Sequence, residues 1–522
     1  RDLIVTGVQT CALPILLELL RAYLVFTLCS YDVLVNNQAK ILRVARLVLG
    51  RSLFRRLMRA TMYGQFVAGE QYEDVLDVSR SLAPAGLYPM FAYTAGETHG
   101  NTDSNGSSHA EEVWKHNYAA LKMAINMAAE SKEFSPYTPQ LSAKLTFLAD
   151  AELLRRVSEV ISHNEEVCGR AMRDSVEGLP RADHVPRLRE TCQSLAALLM
   201  TCTWPGFEIP VQLTSQADLR DPFLPTILTH IPFHMAAENA QDLDDTSSCS
   251  WELDQTPSSQ LVRSLPLQSI SPEDREDLLQ LWLKLKDLGQ QAQECGVHLI
   301  WDAEQTYLQP AIEALILDSM RLYNQNSVVI YNTYQCYLKR THGIINRDLH
   351  IAAAEGICLG AKVVRGAYLD EERALAVTLG CEDPVNPSYE ATTDMYYKVS
   401  DLLLDQLQCH KEKDTAGDLQ VTFATHNADT VLHVLKGVEA RHLPLNDGNV
   451  RFAQLYGTRD YISFALGLKG YPAAKLLHFG DIEQCVAYLS RRAQENRAGI
   501  PTATMERHML RAELTHRLRL AQ

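Results

Sequence analysis

LGAKVVRGAYLD (359–370) begins as a buried strand and ends in polar and aromatic groups. Val363 and Val364 are β-branched and suit a strand packed on both sides. Arg365 then places a permanent charge at the strand end. Gly366 and Ala367 clear space beside it, and Tyr368 adds a flat ring with a polar tip. A strand end of this composition can hold something anionic and flat. Taken alone, the simpler reading is a helix-capping arginine beside a rim tyrosine, so the rest of the chain has to decide.

Seven further β-rich runs share the pattern, most followed by a longer helical stretch: GLYPMFAY (86–93), AKLTFL (143–148), HLIWDAE (298–304), VVIYNTYQ (328–335), VTFATHN (421–427), VRFAQLYG (450–457) and AAKLLHFG (473–480). Repeated strand-helix units imply a parallel sheet. Eight of them predict an α/β protein built as a distorted, TIM-like (β/α)8 barrel, whose ligands sit at the C-terminal strand ends. Those ends carry Asp302 and Glu304, Gln335, Arg365 and Tyr368, His426 and Asn427, and Gln454. One polar strand end is ordinary turn chemistry, whereas several converging on one mouth point to a site.

The chain of 522 residues is 46% hydrophobic, enough for a large core. Residues 1–16 are neither a basic signal region nor an Arg-rich transit peptide, and are set aside as a non-native or unstructured leader. Residues 17–84 form the expected N-terminal helical arm. Within it, Glu18, Arg21 and Asp32 interrupt an apolar stretch that would otherwise be long enough to span a bilayer. The barrel is expected over 85–522, with a helical insertion at about 149–297 between strands 2 and 3. The insertion's last helix has a capping Ser-Pro-Glu-Asp start (271–274). Its acidic, Ser-rich stretch 238–260 and the stretch 97–112 read as loops.

Net charge is −15, and no basic run is interleaved with aromatics, which argues against nucleic-acid binding. The twelve cysteines are scattered without a C-x-x-C, as free thiols in a reducing compartment would be. HIPFH (230–234) mimics a histidine pair for a metal, but Pro232 breaks the helix and no metal is expected. No G-x-G-x-x-G follows a strand, and neither a P-loop nor a nucleophile elbow occurs. Any nucleotide cofactor must therefore bind at the barrel mouth.

YLSRRAQEN (488–496) follows the eighth strand. On a helix, Arg491 and Arg492 diverge by about a hundred degrees and Glu495 lies one turn on. Such pairs are common on solvated helices, but over a barrel mouth they can clamp a carboxylate. YGQFVAGE (63–70), DAEQTY (302–307), YNTYQCYLK (331–339), KVVRGAYLDEERA (362–374), EDPVNPSYEAT (382–392), ATHN (424–427) and YLSRRAQEN together resemble the proline dehydrogenase family, in colinear order over about 30–515. Each motif is weak; seven in order are specific. The nearest likeness is to hydroxyproline dehydrogenase-like members, through GLYPMFAYTAGE (86–97) and EEVWKHNYAALKMAI (111–125).

The resemblance implies an FAD-dependent enzyme on a (β/α)8 barrel, mitochondrial in eukaryotes. It would oxidise L-proline or trans-4-hydroxy-L-proline to the corresponding 1-pyrroline-5-carboxylate and pass electrons to membrane quinone, with peripheral membrane association. Carried over by motif, Lys144, Arg491 and Arg492 bind the substrate carboxylate, Tyr368 and Tyr488 pack on its ring, and Asp302 lies beside the pocket. Arg365 approaches the flavin near its reactive nitrogen and Gly366 lets the ring come close. Gln335, His426, Asn427, Gln454 and Glu495 complete the cofactor contacts. Leu476 departs from the family: proline-specific members carry tyrosine there and hydroxyproline-oxidising ones serine. The alternative is a catalytically silent barrel acting as a binding or scaffold protein, with an NAD-linked enzyme a distant third.

Overall fold

The computed structural model describes residues 16–94, 106–176, 270–412, 419–445, 447–496 and 501–520. Eight parallel strands close in sequence order: β1 (Leu87–Tyr93), β2 (Gln140–Ala143), β3 (His298–Trp301), β4 (Ile330–Gln335), β5 (Leu359–Val364), β6 (Leu419–Ala424), β7 (Val450–Leu455) and β8 (Ala473–Phe479). Strand β8 returns to pair with β1 along its whole length, Leu87 opposite Ala473 through Tyr93 opposite Phe479. Helices cover the outside, as the repeated strand-helix pattern requires.

Strand alternation sorts the residues into two layers. Phe91, Leu141, Leu299, Val363, Phe423, Phe452 and Leu477 face outward and form the main core with the surrounding helices. Inside, the closed end is filled by side chains. Tyr331 donates to Gln420 (2.7 Å), Gln140 to Thr422 (3.2 Å), and the Arg451 guanidinium lies over the Tyr88 ring. Met90, Ile300, Ala453 and Ala474 form an apolar layer with them. With that end filled, the usable space opens at the C-terminal strand ends.

Two expectations are corrected. The second strand is Gln140–Ala143, and 145–147 form a 3-10 turn rather than continuing a strand. Polar Gln140 and Ser142 face the interior there, so the true strand lacks the apolar run that marks its neighbours. Lys144 thereby lies just past a strand end, not near a strand start. The stretch 97–112 is not a loop throughout, because Gly106–Glu130 is one helix; residues 97–105 lie outside the described residues.

The insertion is helical at both ends, with Ala151–Val176 and Pro272–Cys295. Ser271 caps the second helix, its hydroxyl accepting from the Asp274 amide at 3.0 Å. The acidic stretch 238–260, HIPFH and residues 1–15 lie outside the described residues. In the N-terminal arm, Leu19, Ala22, Val25, Phe26 and Cys29 line one face of the helix Leu16–Cys29 and are buried. That face joins a second core shared with Phe66, Tyr488 and Leu489, which ties the arm to the barrel mouth. Among the described residues no helix is long and apolar enough to cross a membrane.

Candidate active site

One cavity of ≈ 490 Å³ occupies the mouth, a size typical of small-molecule sites. Of the residues singled out at the strand ends and by the family likeness, Lys144, Asp302, Tyr368, Leu476, Tyr488, Arg491 and Arg492 line it, with Gln335, Arg365, Gly366, His426, Asn427, Gln454 and Glu495; Glu304 does not, being buried beneath it.

At its floor, Asp302 accepts from Ser142 (2.6 Å) and from Lys362 (2.6 Å), and Lys362 also reaches the Ser142 hydroxyl (3.0 Å). Lys362 is absent from the residues expected above, yet it is buried at the centre of β5 and lines the cavity. Alternation explains the arrangement: Lys362 and Val364 face inward, Val363 outward, and Arg365 follows Val363. The Arg365 guanidinium accordingly turns to the rim. It donates to the Tyr389 carbonyl (3.0 Å) and the Thr393 hydroxyl (3.1 Å), and stacks 4.0 Å over the Tyr389 ring. The sequence signal for Lys362 is its position amid a buried strand, where an ammonium is retained only if paired.

Gly366 owes its identity to the backbone as well as to the cavity. Its φ is +122°, and an added Cβ would collide with the Tyr337 ring. Lys144 lies 5.7 Å from the Tyr368 ring centroid. Burial pulls the Lys144 pKa down, but the opposing pull of Tyr368 and Glu304 leaves it raised, so the ammonium persists. Burial raises the Glu304 carboxyl, with Lys144 and Thr146 opposing. Thr146 holds it through its hydroxyl (2.8 Å) and amide (3.2 Å).

The arginine pair sits on the helix Val486–Glu495, and the two members differ. Arg492 is buried, 5.1 Å from the Tyr488 ring centroid, and donates to Glu495 at 2.7 Å; Arg491 is exposed. Tyr488 donates to the Phe66 carbonyl (3.3 Å), so its ring faces the cavity while its hydroxyl is used by the arm. Opposite, the His426 Nε2 accepts from the Leu455 amide (3.0 Å), which places its proton on Nδ1. Burial, helped by Arg459 and Arg492, holds His426 well below the usual histidine pKa, so it is neutral. Asn427 caps the helix Ala428–Ala440 and donates to the Tyr389 hydroxyl (3.0 Å). Gln335 donates to the Glu304 carbonyl (2.8 Å), and Gln454 bridges Thr425 and Ser463. Among the described residues, no group of three or more His, Cys, Asp or Glu is placed to hold a metal ion.

The family model described as proline dehydrogenase matches residues 102–501. The human mitochondrial proline dehydrogenase 1 is 33% identical, with 96% of this chain and 87% of that protein covered. The Drosophila melanogaster mitochondrial proline dehydrogenase 1 is 31% identical over 97% of this chain and 79% of that one. A hydroxyproline dehydrogenase from Xenopus laevis is 28% identical over 96% and 87%. In fold, the chain is similar to proline utilization A from Bdellovibrio bacteriovorus, with a TM-score of 0.53 at 14% identity, covering 84% of this chain and 33% of that one. The chain belongs to the proline dehydrogenase family, oxidoreductases that act on proline-like substrates.

Proposed function

We propose that this chain is an FAD-dependent dehydrogenase of a cyclic imino acid, trans-4-hydroxy-L-proline or L-proline. It would form the corresponding 1-pyrroline-5-carboxylate and pass the electrons to membrane quinone. The observation that carries this reading is the cavity at the mouth, which Lys144, Arg491 and Arg492 line together with the rings of Tyr368 and Tyr488.

The donor set fits a flat, phosphate-bearing cofactor. Lys362, Arg365, Arg459 and Arg492 line the wall, small residues 366, 367, 424 and 453 leave flat surface, and the buried Arg492 Nε lacks a partner among the described residues. Bound there, FAD would supply the two-electron acceptor for hydride. Lys144, Arg491 and Arg492 take the carboxylate as cations without acting as bases. Tyr368 and Tyr488 hold the ring between them and exclude water. The same cations disfavour an ammonium nearby, so the substrate nitrogen sits neutral, as loss of hydride from the adjacent carbon requires. Asp302 is ion-paired with Lys362, accepts from the Ser142 hydroxyl and shapes the floor. Of the two cations, the inward Lys362 on β5 takes the role beside the redox ring, and Arg365, just past the end of β5, serves the rim.

The quinone and membrane part rests on the arm. The helix Gln38–Ala60 carries Lys40, Arg43, Arg46, Arg51, Arg55, Arg56 and Arg59 and no acidic residue, while Leu47 and Val48 are 79% and 77% exposed. Its start is joined to the arginine helix, Gln38 donating to the Ser490 carbonyl at 3.3 Å. A lipid-borne acceptor would therefore meet the protein beside the mouth. The mitochondrial location belongs to this reading, from the names of the relatives.

The test is spectroscopic. Folded protein, supplied with FAD, should be yellow, and its absorbance should bleach anaerobically on adding either imino acid. A colourless preparation, or a yellow one that neither substrate bleaches, would overturn the proposal.

A further inference from the structure

His478 lines the cavity, yet none of the roles above uses it. It is the third inward residue of β8, after Ala474 and Leu476, and so stands on the same wall as Leu476, one step nearer the mouth. Its ring meets the Tyr488 ring edge-on at 3.9 Å. Its Nδ1 is sealed from solvent and has no hydrogen-bond partner among the described residues. A sealed atom cannot meet a ligand, but Nε2 is not sealed in this way, so the ring keeps one nitrogen open to the cavity that it lines. Burial, with Arg492, Arg491 and Lys362 adding positive charge nearby, holds the ring well below the usual histidine pKa. A neutral imidazole offers one donor and one acceptor, so it can take a hydroxyl in either sense.

The surroundings leave few other partners for such a hydroxyl. Leu476 is paired in register with Met90 and Leu455, both apolar and both lining the cavity. The Tyr488 hydroxyl is already engaged by the Phe66 carbonyl. On the wall formed by β8 and Tyr488, His478 is thus the side chain with unused hydrogen-bonding capacity.

We propose that His478 is a specificity-determining residue that hydrogen-bonds the ring hydroxyl of a hydroxylated proline, while Leu476 leaves the room for that hydroxyl. This rests on the imino-acid reading of the cavity and sharpens it to the hydroxylated substrate. A purely structural His478 would only pack on Tyr488, and the two roles separate experimentally.

The measurement is kcat/KM for L-proline and for the two 4-hydroxy-L-proline epimers, with a water-soluble dye as acceptor. His478→Phe keeps the ring contact and removes the bond. It should lower the trans-4-hydroxy-L-proline value about tenfold, one buried hydrogen bond's worth, and change the L-proline value by less than about threefold. His478→Gln, which can still bond a hydroxyl, should recover part of the ratio. The parent itself should separate the epimers, because only one directs its hydroxyl at the β8 wall. Equal loss for both substrates in His478→Phe, or a parent that treats the epimers alike, overturns the proposal while leaving the dehydrogenase reading intact. A parent that oxidises none of the three overturns both.

Discussion

Arg491 and Arg492 are neighbours in sequence but not in environment. A turn of about a hundred degrees puts Arg492 against Tyr488 and Glu495 and leaves Arg491 exposed at the rim. Both are proposed to hold the substrate carboxylate, yet their removal should have different side effects. Arg491→Met should weaken substrate capture about ten- to a hundredfold, the equivalent of roughly 1.5–3 kcal/mol for a charge-assisted bond, with flavin content retained. Arg492→Met should cost at least as much and also lower the flavin-to-protein ratio, because it leaves Glu495 without its partner and uncovers Tyr488. Kinetics and flavin content of the two variants check this together. If both turn over substrate like the parent, the carboxylate is held elsewhere. Lys362 carries the same lesson. Its charge is tolerated in the barrel interior because Asp302 and Ser142 meet it, and that pairing is invisible in the one-dimensional chain.

At the scale of elements, the helix Pro272–Cys295 is the part of the insertion whose local rules are clearest. Ser271 accepts from the Asp274 amide, Pro272 occupies the first turn, and Arg156 pairs with the Asp274 carboxylate. Ser271→Ala should destabilise the protein by about 1 kcal/mol, the usual worth of such a cap, seen as a lower denaturant midpoint at unchanged slope. A midpoint equal to the parent's would show that tertiary packing alone holds this helix end. Seven of the eight strands stood where the apolar runs put them, because an outward face buried under helices needs such residues. The second did not: Gln140 and Ser142 serve the interior, and only Leu141 and Ala143 carry the hydrophobic signal. Strict alternation applied to KVVR would have exposed Lys362 as an inward lysine and Arg365 as a rim residue. His478 had no such signal, since its neighbour Tyr488 arrives from ten residues further on and its unpartnered nitrogen is a property of the assembled wall. The lining of the cavity was therefore legible from motifs at strand ends, while the division of labour among the lining residues was not.

For the molecule as a whole, charge is unevenly spread. The chain carries −15 overall, yet the helix Gln38–Ala60 has seven basic residues and no acid. Four of these, Arg46, Arg51, Arg55 and Arg59, pair with Glu483, Asp481 and Glu70, only Arg55 being largely covered. That fixes the helix against the loop that leads from β8 to the arginine helix. Lys40 and Arg43 are exposed beside Ile41, Val44, Leu47 and Val48, while Arg56 is exposed beyond Gly50, where a φ of +68° breaks the helix. At helical spacing Ile41, Val44 and Val48 form one stripe with Leu47 on its edge, while the half-buried Leu42, Ala45 and Leu49 pack toward the arm's core. An exposed aliphatic stripe flanked by cations is the composition of a helix that lies in a lipid interface, with each basic group near an anionic surface worth about 1 kcal/mol. The protein should therefore co-sediment with vesicles containing an anionic phospholipid, and much less with purely zwitterionic ones. The triple variant Val44→Glu, Leu47→Glu, Val48→Glu should lose that binding and, with it, turnover that uses a quinone dissolved in the vesicles. Turnover with a water-soluble dye should stay within roughly twofold of the parent, since none of the three residues lines the cavity. Equal vesicle binding by parent and variant would remove this helix from the membrane contact. A parent that is dimeric where the variant is monomeric would instead assign the stripe to a second copy of the chain.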